Sequence, residues 1–258
     1  MDLGIKGKTA LVTASRGGMG RNVAHALAAE GVNVVLFART ADKLQAIASE
    51  IEVLHGVKAL AVPGSMLVAD DIERLASQIQ TVFGGLDIAV LISGRPPNPL
   101  RATLAENEEG RWHEAYHNQL WSIIQVVCGI LPTMQGRGWG RIIAVTSASV
   151  KAPMPHHALS TVFRAGVTAY MKHLANEVGL DGITVNCVAP ALIDTSHRTG
   201  SSAYTAAQAE ARRKLTPLGR MGTQQEFTAV VAFLASMQAG FVTGSTIAIE
   251  GGAVSSLF

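Results

Sequence analysis

A run of small residues and glycines, Ala14-Ser15-Arg16-Gly17-Gly18-Met19-Gly20, follows the apolar segment Thr9–Thr13. After it Met19, Val23 and Leu27 recur at helical spacing. Glycines between a strand and a helix let a phosphate approach the backbone with no Cβ in the way. The helix N-terminus then aims N–H groups and a partial positive charge at that phosphate. The sequence therefore predicts a diphosphate-binding turn at the start of the chain. A second place for chemistry lies further on. Ser160 and Arg164 are four residues apart, so on a helix they share one face. His156 and His157 sit just before them in a loop that contains Pro153 and Pro155. Histidine titrates close to neutrality, so His157 can carry a proton.

The frame for these groups is legible as an alternation. Strands are expected at Thr9–Thr13, Val32–Phe37, Ala59–Val62, Ile88–Ile92, Arg141–Thr146, Thr184–Val188 and Thr246–Ile249. Each is short, apolar on both faces and flanked by Gly, Pro or Asn, as strands buried between two helical layers are. Amphipathic helices separate them; Ile72, Leu75, Ile79 and Val82 are expected on one buried face. Strands alternating with helices imply parallel βαβ units. The predicted fold class is α/β, a doubly wound parallel sheet (Rossmann fold) in a three-layer α/β/α sandwich. Residues 1–258 are read as one nucleotide-binding domain, with a polar lid insertion at about 194–213.

Composition narrows the function. Lys+Arg 21 against Asp+Glu 19 leaves a net charge of +2, which gives no field for nucleic acid or anionic lipid. Cys128 and Cys187 cannot build a disulfide framework and fit a reducing compartment. No apolar run approaches a membrane span, and the first residues lack the apolar core of a signal peptide, so a cytoplasmic protein is expected. Charged residues are only 16%, which suggests that part of the surface is covered by another subunit. No metal site is expected.

Several segments together resemble the short-chain dehydrogenase/reductase family, in the flavour of its β-ketoacyl carrier-protein reductases. Thr13, Gly18, Met19 and Gly20 match the family's glycine-rich turn, with Ala14 replacing the first glycine, which calls for ordinary φ/ψ there. Asn186-Cys187-Val188-Ala189-Pro190 resembles the Asn-x-x-x-Pro-Gly motif, with Ala191 for Gly. Trp139 to Ile143, Pro217 to Gly222, Val242 to Gly244 and Glu250 to Gly252 complete the likeness. The resemblance implies a nicotinamide dinucleotide held by Thr13, Ser15, Arg16, Gly18, Met19, Gly20, Arg39, Ser65, Met66, Ile92, Ser93, Gly94, Arg164, Pro190, Ala191, Ile193 and Thr195. Ala38 stands where members that prefer NAD place an acid, and Arg39 and Arg16 suit a 2′-phosphate, so NADP(H) is expected over NAD(H).

At the catalytic positions the pattern changes. Ser147 matches the family serine. Ser160 falls at the tyrosine position, Arg164 at the lysine position and Gln119 at the asparagine position, with Asn118 its neighbour. A serine hydroxyl is a far weaker acid than a phenol, and Arg164 stays charged. The proton relay expected here therefore runs through Ser160 with water or His157, while Arg164 holds the ribose. The implied activity is hydride transfer between nicotinamide and a small carbonyl or alcohol. A non-redox enzyme (lyase, isomerase or dehalogenase-like) and an inactive nucleotide-binding regulator on the same scaffold remain open at this point. The resemblance also implies a homo-oligomer, dimer or tetramer, and the apolar stretch Trp121 to Leu131 suits a subunit contact.

Overall fold

Strands that are apolar on both faces are stable only where helices cover both sides of their sheet, and this requirement organises the molecule. The computed structural model describes residues 2–194 and 205–257. Its strands are β1 (Thr9–Thr13), β2 (Asn33–Ala38), β3 (Ala59–Pro63), β4 (Ile88–Ile92), β5 (Gly140–Val145), β6 (Ile183–Pro190) and β7 (Thr246–Ile249). They form one sheet in the order β3-β2-β1-β4-β5-β6-β7, and every neighbouring pair is parallel. The helices are α1 (Gly18–Ala29), α2 (Ala41–His55), α3 (Ala69–Phe83), α4 (Glu109–Ala115), α5 (Ser122–Ile130), α6 (Ala158–Val178), α7 (Ala206–Arg213) and α8 (Gln224–Ala235).

The two-residue period of the strands divides the core in two. Ala10, Val12, Val34, Leu36, Val90 and Val145 face Val23 and Leu27 of α1, Leu44 and Ile51 of α2, and Phe227 and Val231 of α8. The alternate residues, among them Leu11, Val35, Leu91 and Ala144, face α3, α5 and α6 through Leu75, Val126 and Met171. The doubly wound sheet inferred from the sequence is therefore present, with strand ends displaced by a residue or two.

One expectation needs correction. Val82 is 45% exposed, because the buried stripe of α3 ends at Ile79, one turn before Gly84 closes the helix. In the polar stretch 194–213, residues 206–213 form the helix α7. Residues 195–204 of that stretch, including Thr195, lie outside the described residues.

The N-terminus of α8, which packs on α1, carries a capping box: Thr223 Oγ1 accepts from Glu226 N and the Glu226 carboxylate accepts from Thr223 N. Arg220 Nη1 donates to Glu226 Oε2 at 2.8 Å. That guanidinium, then the Thr223 amide, holds the Glu226 carboxyl down at about 2. A depressed carboxyl pKa stabilises the fold above the ordinary carboxyl range near 4.5, and the effect is lost as pH falls toward about 2. Glu226→Gln should therefore melt below the wild type at neutral pH and converge with it in strong acid, as thermal scans across that range would read.

Candidate active site

The strand order reverses at β1, which has β2 on one side and β4 on the other. Connections leave in opposite directions there and open a crevice beyond the C-terminal strand ends. Thr13 fastens the floor of this crevice. Its Oγ1 donates to Ile92 O at 2.9 Å and accepts from Ile92 N at 2.7 Å. The chain then turns sharply. Ala14 adopts φ 50, in the left-handed region, so the ordinary φ/ψ expected for it is wrong: the turn keeps its shape although the residue is not glycine. Gly20 in the first turn of α1 packs against this bend. A Cβ there would lie 2.6 Å from Ala14 O and 2.9 Å from Ala14 C, both backbone atoms.

A cleft of about 160 Å³ opens beside the turn. It brings together Arg16, Arg39, Ser65, Met66, Ile92, Ser93 and Gly94, all inferred from the sequence to bind the cofactor. Ala38 lines the same wall, so no acid faces the two exposed guanidiniums. Ser65 is held by its neighbours: its amide donates to Asp71 Oδ2 at 2.8 Å and its hydroxyl accepts from Leu67 N at 3.2 Å. The Ser65 amide, followed by Arg74, pulls the Asp71 carboxyl below its usual range. Ser65 keeps its hydroxyl proton to donate to a ligand. The hydroxyls of Ser15 and Ser93 are buried without a hydrogen-bond partner. Buried polar atoms are normally satisfied. Two orphans beside a glycine-rich turn and two arginines fit a polar, phosphate-bearing group.

One contributor escapes sequence patterns. Between α4 and α5, residues Tyr116–Trp121 form a π-helical turn. The widened turn releases Asn118 O, which accepts from Gly94 N at 3.0 Å and from Ser122 Oγ at 2.9 Å. Asn118 and Ser122 both line the cleft. Gln119 is fully buried beneath it, its Nε2 reaching Ala115 O at 3.5 Å and its Oε1 without a partner. A π turn has no compositional signature, although such turns are frequent at functional sites.

The reactive face lies where β5 ends. Ser147 follows directly, and its Oγ accepts from Ser149 N at 3.2 Å. Arg164 on α6 reaches across the strand ends. Its Nη1 donates to Val145 O at 3.0 Å and to Thr146 O at 3.2 Å, and its Nη2 to Gly94 O at 3.2 Å. The guanidinium is a strut between the ends of β4 and β5, and its fork has more N–H groups than these carbonyls use. Burial, with the nearby Arg95 charge, lowers its pKa to about 10, so it stays charged at neutral pH. Ser160, one turn before it, is buried. His157 stands at the N-cap of α6, and its Nδ1 lies 2.7 Å from Pro155 O. A carbonyl only accepts, so Nδ1 carries the hydrogen and Nε2 is left to exchange a proton. Tyr170 is two turns and more beyond Ser160, its phenol pKa raised by burial, with Cys128 next to it.

Pro190, Ala191 and Ile193 continue β6 along the same sheet edge but do not line the 160 Å³ cleft. Ala191 N donates to Ile249 O at 3.1 Å, and Ile193 bridges to Gly222. Among the described residues, no group of three His, Cys, Asp or Glu side chains is placed to hold a metal ion, and no helix is long and apolar enough to cross a membrane.

Comparison with known proteins agrees with this geometry. The family model described as enoyl-(acyl carrier protein) reductase matches residues 13–254. The pig dehydrogenase/reductase SDR family member 4 is 30% identical over 256 residues, covering 98% of this chain and 89% of that protein. The 3-oxoacyl-acyl-carrier-protein reductase FabG of Haemophilus influenzae is 32% identical over 248 residues, 96% of this chain and 98% of the relative. Among solved structures, L-sorbose reductase of Gluconobacter frateurii, complexed with NADPH and L-sorbose, superposes with a TM-score of 0.91 at 28% identity, with 100% of each chain covered. The chain belongs to the short-chain dehydrogenase/reductase family. It is thus an oxidoreductase scaffold from end to end, and the non-redox readings are not favoured.

Proposed function

We propose that this protein is an NADP(H)-dependent oxidoreductase that interconverts a small carbonyl compound and its alcohol. The observation that carries the reading is the cleft wall at the switch point, where Arg16 and Arg39 stand beside Ala38 with no acid between them. Guanidiniums at that place bind a 2′-phosphate by charge-assisted, bidentate bonds, and no carboxylate repels it. Thr13, Ser15, Gly18, Met19 and Gly20 hold the diphosphate, while Ser65, Met66, Ile92, Ser93 and Gly94 line the nucleoside. When bound, the nicotinamide supplies or accepts the hydride.

The chain's own residues supply the rest. Ser147 hydrogen-bonds the substrate oxygen. Arg164 offers its remaining N–H groups to the ribose and adds a fixed positive charge. Ser160, in line with water or with Nε2 of His157, passes the proton, and Gln119 supports the floor of the cleft through the π turn. Pro190, Ala191 and Ile193 border the nicotinamide end. We place the protein in the cytoplasm as a homo-oligomer, dimer or tetramer. Trp121 at 37% exposure and the exposed Cys128 support a subunit contact there, although Ile123, Val126, Val127 and Ile130 of the same stretch are spent on the protein's own core.

Arg39→Asp tests the phosphate assignment. Loss of a charge-assisted bond, together with repulsion by the new carboxylate, should weaken NADPH by at least about tenfold to a hundredfold without weakening NADH. Tryptophan fluorescence titration with both cofactors reads the ratio, and consumption of NADPH at 340 nm with a carbonyl panel reads turnover. An unchanged NADPH-to-NADH ratio would remove Arg39 from the site.

A further inference from the structure

Arg95 follows Gly94 directly, and Gly94 O accepts from the Arg164 guanidinium at 3.2 Å. One peptide unit therefore separates the Arg95 backbone from a second, partly buried cation. The two are close enough that Arg95, after burial, helps to lower the Arg164 pKa. Arg95 is exposed and Arg164 half-buried, so water screens their repulsion and the pair is an open place for an anion. The described residues provide none. All the Arg164 bonds go to neutral carbonyls, and among the described residues neither Arg95 nor Arg164 forms an ion pair.

The carboxylates on adjoining segments are engaged elsewhere. Glu106 accepts from Arg111 Nε at 2.7 Å, Glu108 from Arg101 Nη1 at 2.5 Å, and Glu114 Oε1 from Asn118 Nδ2 at 3.4 Å. The loop that carries Arg95 is also fixed. It runs through Pro96, Pro97 and Pro99, and Arg111 Nη2 donates to Pro99 O at 2.7 Å. Glu106, almost wholly buried, ties that arginine in place with both carboxylate oxygens. A cation on a stiff loop loses little freedom when it grips a ligand. Thr146 O, which also binds Arg164, is the carbonyl just before Ser147, so the pair of charges stands beside the reacting position.

We propose that Arg95 and Arg164 form an anion subsite, and that the carbonyl substrate carries a carboxylate or phosphate group seated on it. This rests on the reading of the cleft as the site of cofactor and substrate. The substrate class is thus an oxo acid or a phosphorylated carbonyl compound. Arg95 is the gripping residue, because among the described residues its guanidinium has no hydrogen-bond or ion-pair partner, whereas Arg164 is largely occupied as the strut.

Calorimetry tests this with malonate and inorganic phosphate as probes and malonamide, the uncharged analogue of malonate, as control. Each is titrated into wild type, Arg95→Gln and Arg95→Lys, with saturating NADP and without it. One of the anions should bind and malonamide should not. Arg95→Gln should weaken the anion roughly tenfold, the loss of one charge-assisted bond, and Arg95→Lys should restore part of it. Malonate tighter than phosphate points to an oxo acid, and the reverse to a phosphorylated substrate. Anion binding that survives Arg95→Gln, or that matches malonamide, overturns the proposal. NADPH affinity in the same variants should equal the wild type. If NADPH binds while the anion effect is absent, the subsite fails and the oxidoreductase reading stands. If NADPH does not bind, the cofactor reading fails, and the Arg95-dependent difference in cofactor-free protein still decides the subsite.

Discussion

Gly20→Val should abolish useful NADPH binding, weakening it by more than about a hundredfold, close to 3 kcal/mol. The added Cβ would meet Ala14 O at 2.6 Å, Ala14 C at 2.9 Å and Ser15 Cα at 3.0 Å. All three are backbone atoms, so no side chain can swing aside. The bend at Ala14, already in the left-handed region, must open or α1 must retreat from it. Either movement takes the helix N-terminus away from the diphosphate. Overpacking of this kind also costs about 1–3 kcal/mol of stability, so urea unfolding should show a lower midpoint with an unchanged slope. A folded Gly20→Val protein that binds NADPH like the wild type would mean that the turn does not hold the nucleotide.

The second large effect is expected at Arg164. Arg164→Met removes the donor shared by Val145 O, Thr146 O and Gly94 O and leaves carbonyls at the ends of β4 and β5 without it. Unsatisfied acceptors that are partly buried make this cost about 2–4 kcal/mol. Arg164→Lys should fall between, because a compact ammonium cannot span carbonyls on two strand ends as a planar fork does. The order of stability in urea should be wild type, then Lys, then Met. Turnover should fall with it, since Ser147 follows the Thr146 carbonyl that the guanidinium holds. Equal stability of all three would show that the strut is ornamental and that Arg164 serves the ligand alone.

What could be read from sequence, and what could not, divides along physical lines. The strands were legible because burial between two layers demands continuous apolar runs, and Ile88–Ile92 shows this in five residues. The glycine-rich turn into α1 is legible because a strand, a glycine cluster and a helical stripe are adjacent in the chain. The Ala14 conformation was not, since φ 50 is uncommon for a side chain with a Cβ. The Arg164 strut was not either. Its acceptors lie 19, 18 and 70 residues away, and only the finished sheet brings them to one side chain. Asn118 and Gln119 show the limit of counting. Motif spacing points to Gln119 with Asn118 one register away, and the π turn places Asn118 in the cleft lining while Gln119 is buried.

The same reasoning explains why the site tolerates serine and arginine where relatives in the resemblance carry tyrosine and lysine. The cleft is lined by residues at or just beyond the ends of β1, β2, β3 and β4 and by Asn118 and Ser122, and α6 touches it through the bond from Arg164 to Gly94 O. On the proposed function, Arg164 gives a fixed charge where the family resemblance implies a titrating amine, and the proton would travel by a hydroxyl, water or imidazole.

The claim beneath all of this is that a nicotinamide dinucleotide lies with its diphosphate on the first turn of α1 and its 2′-phosphate on Arg16 and Arg39. Isothermal calorimetry of NADPH against the wild-type protein measures it most directly. The account predicts one NADPH per chain, bound more tightly than NADH. Heats indistinguishable from dilution up to millimolar NADPH, or tighter binding of NADH, would contradict it.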